Sequence, residues 1–500
     1  MPLTKQNKIK NKSRFRNFCN IFILLSGLWL LINIAAVYLF LDGMKSHRIE
    51  TASFIFAIAV LLKLVSMIKR AGREWGTIFE SVIKPKERFL LAAAPVLILI
   101  LLYLPLSDGP FLSDDYVFIE KYMDSPFDTD ENGFFRPVFG IVFHLLLKTF
   151  GFHPAPFHLF NLLLHIISAA LVYRIVHKVF NAFFPAYFSA LFFLLNPFQA
   201  EAVFWISGLQ ETLWVFFFLS AAAVYINKRE INSFIILMII SLIAMSLLSK
   251  ETAVCFLPLF MAFDFLLFGF RRGKNLKYVY SFLVLLIVAY LALRGHYTSI
   301  PSAHLSGLNL YFLQKFISRP FNVFLYPWNQ AFLGPMTFLK FLISSFMVLL
   351  ISTYFLYIKE RRDKIFGIML SLIYFPLIPL IGMFYVAPDL QGSRYLYLSF
   401  IGWGMLAGLI IFDFIKKRVA LLVLSIFIIS GLSFSLALNL KPWERAGEIV
   451  NELPKNLISS PPDNYCGAYI LRNGFLEYKR IQQLNDGSFK TRKLDNNKLD

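Results

Sequence analysis

Long apolar runs recur along almost the whole chain, and they restrict its fold more than any other feature. Several of them approach the roughly 20 residues that a membrane-spanning helix needs. A water-soluble core would not hide so many runs, since 58% of the 500 residues are hydrophobic and only 16% are charged, against about 25% charge in soluble domains. The sequence therefore predicts an all-α, multi-pass membrane protein with about 13 transmembrane helices.

Breaks that contain charged residues, proline or glycine separate these runs. The first run follows a basic tail, is too long for a secretory signal peptide and lacks a small-residue cleavage site, so we expect it to be retained as a helix. The predicted spans are 19–41, 52–68, 89–106, 158–176, 183–196, 208–226, 233–248, 252–269, 279–294, 333–357, 365–384, 395–414 and 419–438.

The basic residues of the short connections predict the topology, because lysine and arginine mark the cytoplasmic side. They fall on the same side as the basic N-terminal tail and include Arg70, Arg73, Arg174, Lys178, Lys228, Arg229, Arg271, Arg272, Lys359, Arg361, Lys416 and Lys417. We therefore expect a cytoplasmic N-terminus and an extracytoplasmic C-terminus. Large outer loops are expected at about 107–157 and 295–332.

Three regions follow from this topology. Residues 1–88 hold the basic cytoplasmic tail and two extra transmembrane helices, and residues 89–438 hold a transmembrane catalytic core. Residues 439–500 are expected to form a short extracytoplasmic tail.

The net charge of +19 does not indicate a nucleic-acid partner, because the basic residues lie in short clusters between apolar runs. The three cysteines, Cys19, Cys255 and Cys466, are far apart and predict neither a disulfide framework nor a zinc site. No cofactor is implied. A single acidic pair without a second acidic motif gives no reason to expect a divalent metal.

The acidic pair Asp114 and Asp115 lies in the segment FLSDDYVFI, just past the outer end of a predicted span. A carboxylate near a low-dielectric boundary has a raised pKa and can take a proton from an attacking hydroxyl, so either residue is a candidate general base. The alternative is an ordinary hydrated loop after a helix, because two adjacent aspartates are not a specific motif.

The segments that follow the acidic pair favour a functional role for it over an ordinary hydrated loop. Residues 134–150 are interrupted by polar residues and proline, which predicts an interfacial amphipathic helix that covers the membrane surface. The next span carries His158, Asn161, His165 and Ser168 at spacings of three and four, on one face that we expect to point inward. Hydrogen bonds between helices explain such a face, and metal ligation by the two histidines is the alternative.

Basic residues at outer helix ends are informative, because outer connections are usually poor in them. Lys250, Arg294 and Arg394 lie at the depth of a lipid phosphate, and they are candidates to bind one. The alternatives are snorkelling to lipid headgroups and, for Lys250, pairing with the neighbouring Glu251.

The outer segment NPFQAEAVFWISGLQE contains Glu201 and Trp205. A carboxylate beside an aromatic ring can hold a sugar. Tryptophan is equally expected in the aromatic belt of a membrane protein, so this role has a structural alternative.

The order of four motifs resembles a known family. FRPVFGIVFHLLLKTFGFHPAPFHLFNLLLHIISAALVY is followed by NPFQAEAVFWISGLQE, LLSKETAV and GSRYLYLSF. This order is similar to that of the transmembrane O-mannosyltransferase (TMTC-type) family and its bacterial relatives, which belong to the GT-C glycosyltransferase superfamily. The resemblance covers about residues 90–410.

The resemblance implies transfer of a sugar, with inversion, from a polyprenyl-phosphate carrier to a hydroxyl of a protein serine or threonine, a glycan or a lipid. It implies an active site on the outer face of a bacterial cytoplasmic membrane, or the lumenal face of the endoplasmic reticulum in a eukaryote. By resemblance Asp114 is the base, Asp115 supports it, Lys250, Arg294, Arg394 and Arg136 bind the phosphate, and Glu201, Trp205, Glu251, His158, Tyr395 and Tyr397 contact or support the sugar and acceptor.

Two features depart from that family. The chain continues into a short tail without the tetratricopeptide pattern, so the acceptor is not implied, and the two extra spans at 19–41 and 52–68 precede the core. The rival functions are a transporter or flippase of lipid-linked sugars and a non-catalytic subunit. Against transport, the polar groups gather at one surface rather than at mid-membrane.

Overall fold

The computed structural model describes residues 85–127, 134–227, 232–268, 276–297, 363–380, 389–415 and 417–457. It also describes short stretches or single residues within 20–30, 55, 316–354 and 384–387, and three strands between 465 and 493. Most of the predicted spans 19–41, 52–68 and 333–357 and most of the loop 295–332 lie outside the described residues.

The described core is built from helices that alternate with short 3-10 and π turns. In chain order the α-helices are α1 Pro85–Tyr103, α2 Asp114–Tyr122, α3 Pro137–Phe150, α4 Ala155–Phe180, α5 Phe183–Leu194, α6 Leu209–Asn227, α7 Ser233–Ser249, α8 Phe256–Phe263, α9 Leu276–Tyr297, α10 Asp363–Tyr374, α11 Ser399–Phe414 and α12 Arg418–Leu457. The 3-10 turns between them include Pro197–Gln199, Ile206–Gly208, Glu251–Cys255, Phe375–Leu380 and Ser393–Leu396.

Within the described part of the chain, five helical stretches are long and apolar enough to cross a membrane, which supports an integral membrane protein by length and composition. They are Pro85–Leu106, Ala155–Phe180, Ile206–Ile226, Tyr278–His296 and Arg418–Val450. Each overlaps a predicted span. Shorter apolar helices occupy the predicted spans 233–248, 365–384 and 395–414. The total of about 13 spans and their orientation stay predictions.

The predicted span 183–196 is a helix of only 12 residues, α5, buried on nearly every side. It packs closely on α11 because two glycines of α11 leave room for its backbone. A Cβ atom at Gly404 would lie 2.9 Å from the Ser189 carbonyl oxygen, and one at Gly408 would lie 2.8 Å from that of Pro185. Small residues at such contacts are typical of helix packing in membranes.

The predicted span 252–269 is helical throughout its described residues, but it is not one regular α-helix. The chain forms the 3-10 turn Glu251–Cys255, then the short helix α8, and then a π-helical turn at Asp264–Phe268. Pro258 lies in the first turn of α8 and has no N–H to continue a helix that began earlier. Helix α7 ends at Ser249, and Lys250 and Glu251 lie at the start of the turn that follows. There their side chains meet residues from other helices.

Helices α2 and α3 pack on a second apolar cluster, to which α4 and α6 also contribute side chains. Phe139, Phe143 and Leu147 of α3 are buried, whereas Leu145 of the same helix is exposed. This two-faced pattern agrees with the predicted amphipathic helix at 134–150. At Gly140 a Cβ atom would lie 2.3 Å from the Pro126 carbonyl oxygen, so only glycine permits the approach of the two segments.

The helix that contains the last predicted span, 419–438, is longer than that span. Helix α12 continues to Leu457, through the polar sequence that follows the apolar run. The described tail then contains three antiparallel strands in the order β1 Tyr465–Arg472, β2 Phe475–Gln483 and β3 Phe489–Lys493. The helical core agrees with the predicted all-α class, but the sheet was not predicted.

Candidate active site

Asp115 is buried in the first turn of α2 and fixes that helix to a second loop. Its Oδ2 accepts a hydrogen bond from the backbone N–H of Leu112 (2.8 Å), and its Oδ1 accepts from the backbone N–H (2.7 Å) and the hydroxyl of Ser207. Burial raises the pKa of Asp115 to about 7, although hydrogen bonds from Ser207 and Leu112 oppose the shift. Asp115 therefore ties α2 to the turn Ile206–Gly208.

Asp114, by contrast, is exposed at the first position of α2. The N-terminus of a helix stabilises negative charge there, through its N–H groups and its dipole. The preceding residue, Ser113, has φ 52° and ψ −117°, a conformation that residues other than glycine rarely adopt. The two carboxylates of the pair thus differ: Asp114 is exposed to solvent, whereas the carboxylate of Asp115 is buried and hydrogen-bonded within the protein.

Trp205 connects three segments of the site. Its indole N–H donates to the Leu112 carbonyl (3.0 Å), and the Arg394 guanidinium lies 4.8 Å from the centroid of its ring. A cation over a tryptophan face is attracted to the ring. Trp205 therefore holds Arg394 close to the segment that carries Asp114. Its contact with a sugar stays a prediction.

The Glu201 carboxylate lies in the π-helical turn Ala200–Phe204 and receives four hydrogen bonds from one loop. The donors are the backbone N–H of Gly392 (3.0 Å), the Ser393 hydroxyl (3.2 Å), and the backbone N–H (2.8 Å) and guanidinium (2.7 Å) of Arg394. A carboxylate has about four acceptor positions, so these donors fill them. Glu201 therefore holds Arg394 and its loop in place, and a contact between Glu201 and a sugar stays a prediction.

Lys250 is buried beside Glu211 of α6. The Lys250 ammonium donates to Glu211 Oε1, and the Trp214 indole N–H donates to Glu211 Oε2 (2.6 Å). Burial lowers the pKa of Lys250, although the Glu211 charge opposes the shift. The alternative expectation that Lys250 pairs with Glu251, its neighbour in sequence, is wrong, because the extended backbone at Lys250 turns the two side chains to different partners.

Glu251 instead pairs with Arg136, which lies 115 residues earlier. Arg136 Nε and Nη2 donate to the two carboxylate oxygens of Glu251 (2.8 and 2.5 Å), and Nη1 donates to Gln210. Burial alone would raise the pKa of Glu251, but the Arg136 charge and its hydrogen bonds lower it to about 2. Gln210 also donates to the Ser207 carbonyl (3.0 Å), so this ion pair is connected to the turn that holds Asp115.

Tyr395 is a neighbour of two of the four predicted phosphate-binding cations. The Lys250 ammonium lies 5.3 Å and the Arg394 guanidinium 5.1 Å from the centroid of its ring. Both cations therefore reach one aromatic side chain in the turn Ser393–Leu396. Its neighbour Tyr397 is buried, and its hydroxyl lies 2.7 Å from His165 Nδ1.

The polar face of α4 points inward, as predicted. His158 Nδ1 lies 2.7 Å from the Phe204 carbonyl, and the Asn161 amide donates to the carbonyls of Val203 (3.0 Å) and Trp205 (3.2 Å). His165 and His158 thus have separate partners. Asn161 fixes the π-helical turn and, with it, the position of Trp205.

Arg294 lies in the last turn of α9 and is half-buried. Tyr290, one turn earlier in the same helix, is within electrostatic reach of Arg294, Arg136 and Glu251. This relation places the end of α9 near the Arg136–Glu251 pair. A direct role of Arg294 in phosphate binding stays a prediction.

Two residues to which sequence reasoning assigned no role hold the site together: Ser207, which donates to Asp115, and Glu211, which accepts from Lys250 and Trp214. Both lie in the polar-rich segment NPFQAEAVFWISGLQE, although the sequence pattern did not reveal their partners. Among the described residues no group of three or more histidine, cysteine, aspartate or glutamate side chains is arranged to hold a metal ion.

Comparison with known proteins bears on the segment that contains most of these residues. A family model, dolichyl-phosphate-mannose-protein mannosyltransferase, matches residues 135–294. The chain is similar to membrane mannosyltransferases. This match supports the predicted resemblance to GT-C membrane glycosyltransferases. It includes Arg136, Lys250 and Arg294, whereas Asp114 and Arg394 lie outside the matched residues.

A curated relative gives the same result. The protein O-mannosyl-transferase F38B6.6 of Caenorhabditis elegans is 27% identical over 135 residues, which are 26% of this chain and 19% of the relative. The matched part is thus about a fifth of the length of that mannosyltransferase. The similarity confirms the resemblance inferred from the motifs.

Proposed function

We propose that the protein is an inverting glycosyltransferase that moves a sugar, mannose in the first instance, from a polyprenyl-phosphate donor to a hydroxyl acceptor. The observation that carries the proposal is a set of buried ion pairs whose loops are hydrogen-bonded to the segment of the exposed Asp114. Anionic lipid phosphate and a nearby carboxylate base are the two groups that such a transfer requires. The mannosyltransferase similarity of residues 135–294 supports the same reaction class.

In the proposed step Asp114 accepts the proton of the acceptor hydroxyl while that oxygen attacks the anomeric carbon. The bond between this carbon and the phosphate oxygen breaks, and the polyprenyl phosphate leaves with the bonding electrons. Negative charge thereby grows on the phosphate. Cations that are already oriented in a partly dry site stabilise this charge more than they would in water.

The three paired cations differ in their access to a phosphate. The Arg394 side chain is 19% exposed and uses one of its side-chain nitrogens in the pair with Glu201. The Lys250 side chain is 4% exposed, and Arg136 uses all three of its nitrogens on Glu251 and Gln210. We therefore assign the direct phosphate contact to Arg394, with Lys250 and Arg136 as supporting charges.

The proposed site faces the extracytoplasmic side, with the N-terminus in the cytoplasm. The basic connections between the predicted spans support this orientation. A membrane-impermeant thiol reagent added to right-side-out vesicles should therefore label a cysteine placed at Asp114. Labelling only after the vesicles are opened would show that the site faces the cytoplasm and would contradict the proposed orientation.

Turnover by the purified chain tests the proposed function. With radiolabelled polyprenyl-phosphate mannose and a hydroxyl acceptor, we expect release of free polyprenyl phosphate together with a mannosylated product. Arg394→Gln should lower this turnover at least tenfold, because it removes a charge-assisted contact to the leaving phosphate. The control is Arg445→Gln, which changes an exposed arginine of α12.

Two outcomes would contradict the proposal. A wild-type protein that moves intact donor across vesicles without releasing polyprenyl phosphate is a transporter. Turnover that is unaffected by Arg394→Gln would show that Arg394 does not bind the leaving phosphate.

A further inference from the structure

Helix α12 is much longer than a membrane requires. Its 40 residues extend over about 60 Å at 1.5 Å per residue, about twice the thickness of the hydrocarbon core. The apolar run ends near residue 440, and the polar continuation carries charged residues such as Glu444 and Arg445. The end of this helix therefore extends past the membrane on the side of the candidate site.

The continuation of α12 contacts both loops of that site. The Asn439 amide donates to the Pro197 carbonyl (2.9 Å), and the Trp443 ring lies 6.0 Å from that of Phe204 and 6.1 Å from that of Trp205. Further along, Gly447 faces the segment before Asp114. A Cβ atom at Gly447 would lie only 3.1 Å from the Pro110 ring, so the helix and this segment are in close contact.

The segment that α12 contacts is strained. Ser113 has a positive φ without being glycine, and such conformations persist only where the surroundings enforce them. Three hydrogen bonds hold the preceding residue, Leu112: its N–H donates to the Asp115 carboxylate, and its carbonyl accepts from the Asp115 backbone N–H and from Trp205. Trp443 packs on the ring of the same Trp205, so it supports the hydrogen bond from Trp205 to Leu112.

We propose that Trp443, carried by the extension of α12 beyond the membrane, is a positioning residue for Asp114. It acts through Trp205, whose hydrogen bond to Leu112 keeps the strained turn at Ser113 in place. This inference rests on the proposed function, because it assigns Trp443 a part in the transfer that Asp114 begins. The effect of Trp443 on the position of Asp114 can be tested without any turnover.

The kinetic test compares three variants of the full chain. Trp443→Ala should lower kcat about tenfold or more with little change in the KM for the donor, since small displacements of a reacting group cost that much or more. Trp443→Phe keeps an aromatic contact with Trp205 and should restore most of the rate. Glu444→Ala changes the exposed neighbour and should leave kcat unchanged.

The second measurement does not depend on activity. With Cys19 and Cys466 replaced by serine and the buried Cys255 kept, Asp114→Cys is labelled by an impermeant maleimide in right-side-out vesicles. Adding Trp443→Ala should change the labelling rate several-fold, whereas adding Trp443→Phe or Glu444→Ala should not. Melting temperatures identify any variant that fails to fold. If Trp443→Ala fails to fold, Trp443→Phe is compared instead with Gly447→Leu, whose side chain presses on Pro110.

The two measurements separate the possible failures. A wild-type chain without turnover, but with labelling that responds to Trp443→Ala, refutes the proposed function and keeps the positional role. Equal labelling rates in all backgrounds, or a loss in Trp443→Ala that lies entirely in KM, would refute the positioning of Asp114 by Trp443.

Discussion

Asp114 and Asp115 are adjacent in sequence but have opposite surroundings. Asp115 accepts three hydrogen bonds and is buried, whereas Asp114 is exposed at the start of α2. The sequence predicted an acidic pair at the end of a span but did not distinguish its members. The distinction depends on Ser207, which lies 92 residues away and whose position only the folded chain defines.

The raised pKa of Asp115 predicts how stability depends on pH. Its pKa is about 7 in the folded protein against an ordinary value of 3.8, so between these values the folded state keeps a proton that the unfolded state has lost. The free energy of unfolding should therefore fall as the pH rises through this window, and the contribution should level off above about pH 7.

Asp115→Asn isolates this contribution, because asparagine does not titrate. The melting temperature of the wild type minus that of the variant should decrease from pH 5 to pH 8 in the same detergent. A difference that is constant or increases with pH would show that Asp115 is ionised throughout and is stabilised by its donors.

At the scale of elements, three turns bring together residues that are distant in sequence. Arg136 meets Glu251, Lys250 meets Glu211, and Arg394 meets Glu201. The positions of the cations at helix ends were predicted from the topology. Their partners were not, because the hydropathy pattern places residues along the membrane normal and contains no information on which helices are neighbours.

The buried pair of Lys250 and Glu211 gives a test at this scale. Lys250→Met should destabilise the protein by about 3–5 kcal/mol, because the Glu211 charge is then buried without a cation. Lys250→Met with Glu211→Met removes both charges and should recover much of that loss. The exposed pair Arg445 and Glu448 serves as the control, and Glu448→Ala should change stability by less than about 1 kcal/mol.

Thermal unfolding of the purified variants in one detergent is the measurement. A double variant that is no more stable than Lys250→Met alone would contradict the assignment of Lys250 as a partner of Glu211. Turnover should stay low in the double variant even where its stability recovers, since the supporting positive charge remains absent.

For the whole molecule, the apolar runs predicted the membrane class and the position of each long apolar helix. They did not predict the extension of α12, because a hydropathy pattern ends where the apolar run ends while the helix continues in polar sequence. Nor did they predict the strands of the tail. The extension matters for function, since it brings Trp443 to the loops that hold Asp114 and Trp205.

The most direct test of the central claim is the rate of mannose transfer by Asp114→Asn. Asparagine has nearly the same shape as aspartate but does not act as a base, so turnover from polyprenyl-phosphate mannose should fall by about 10²-fold or more without a change in melting temperature. Asp124→Asn, which alters an exposed aspartate of the same segment, should transfer at the wild-type rate. Full turnover by Asp114→Asn would contradict the assignment of Asp114 as the base.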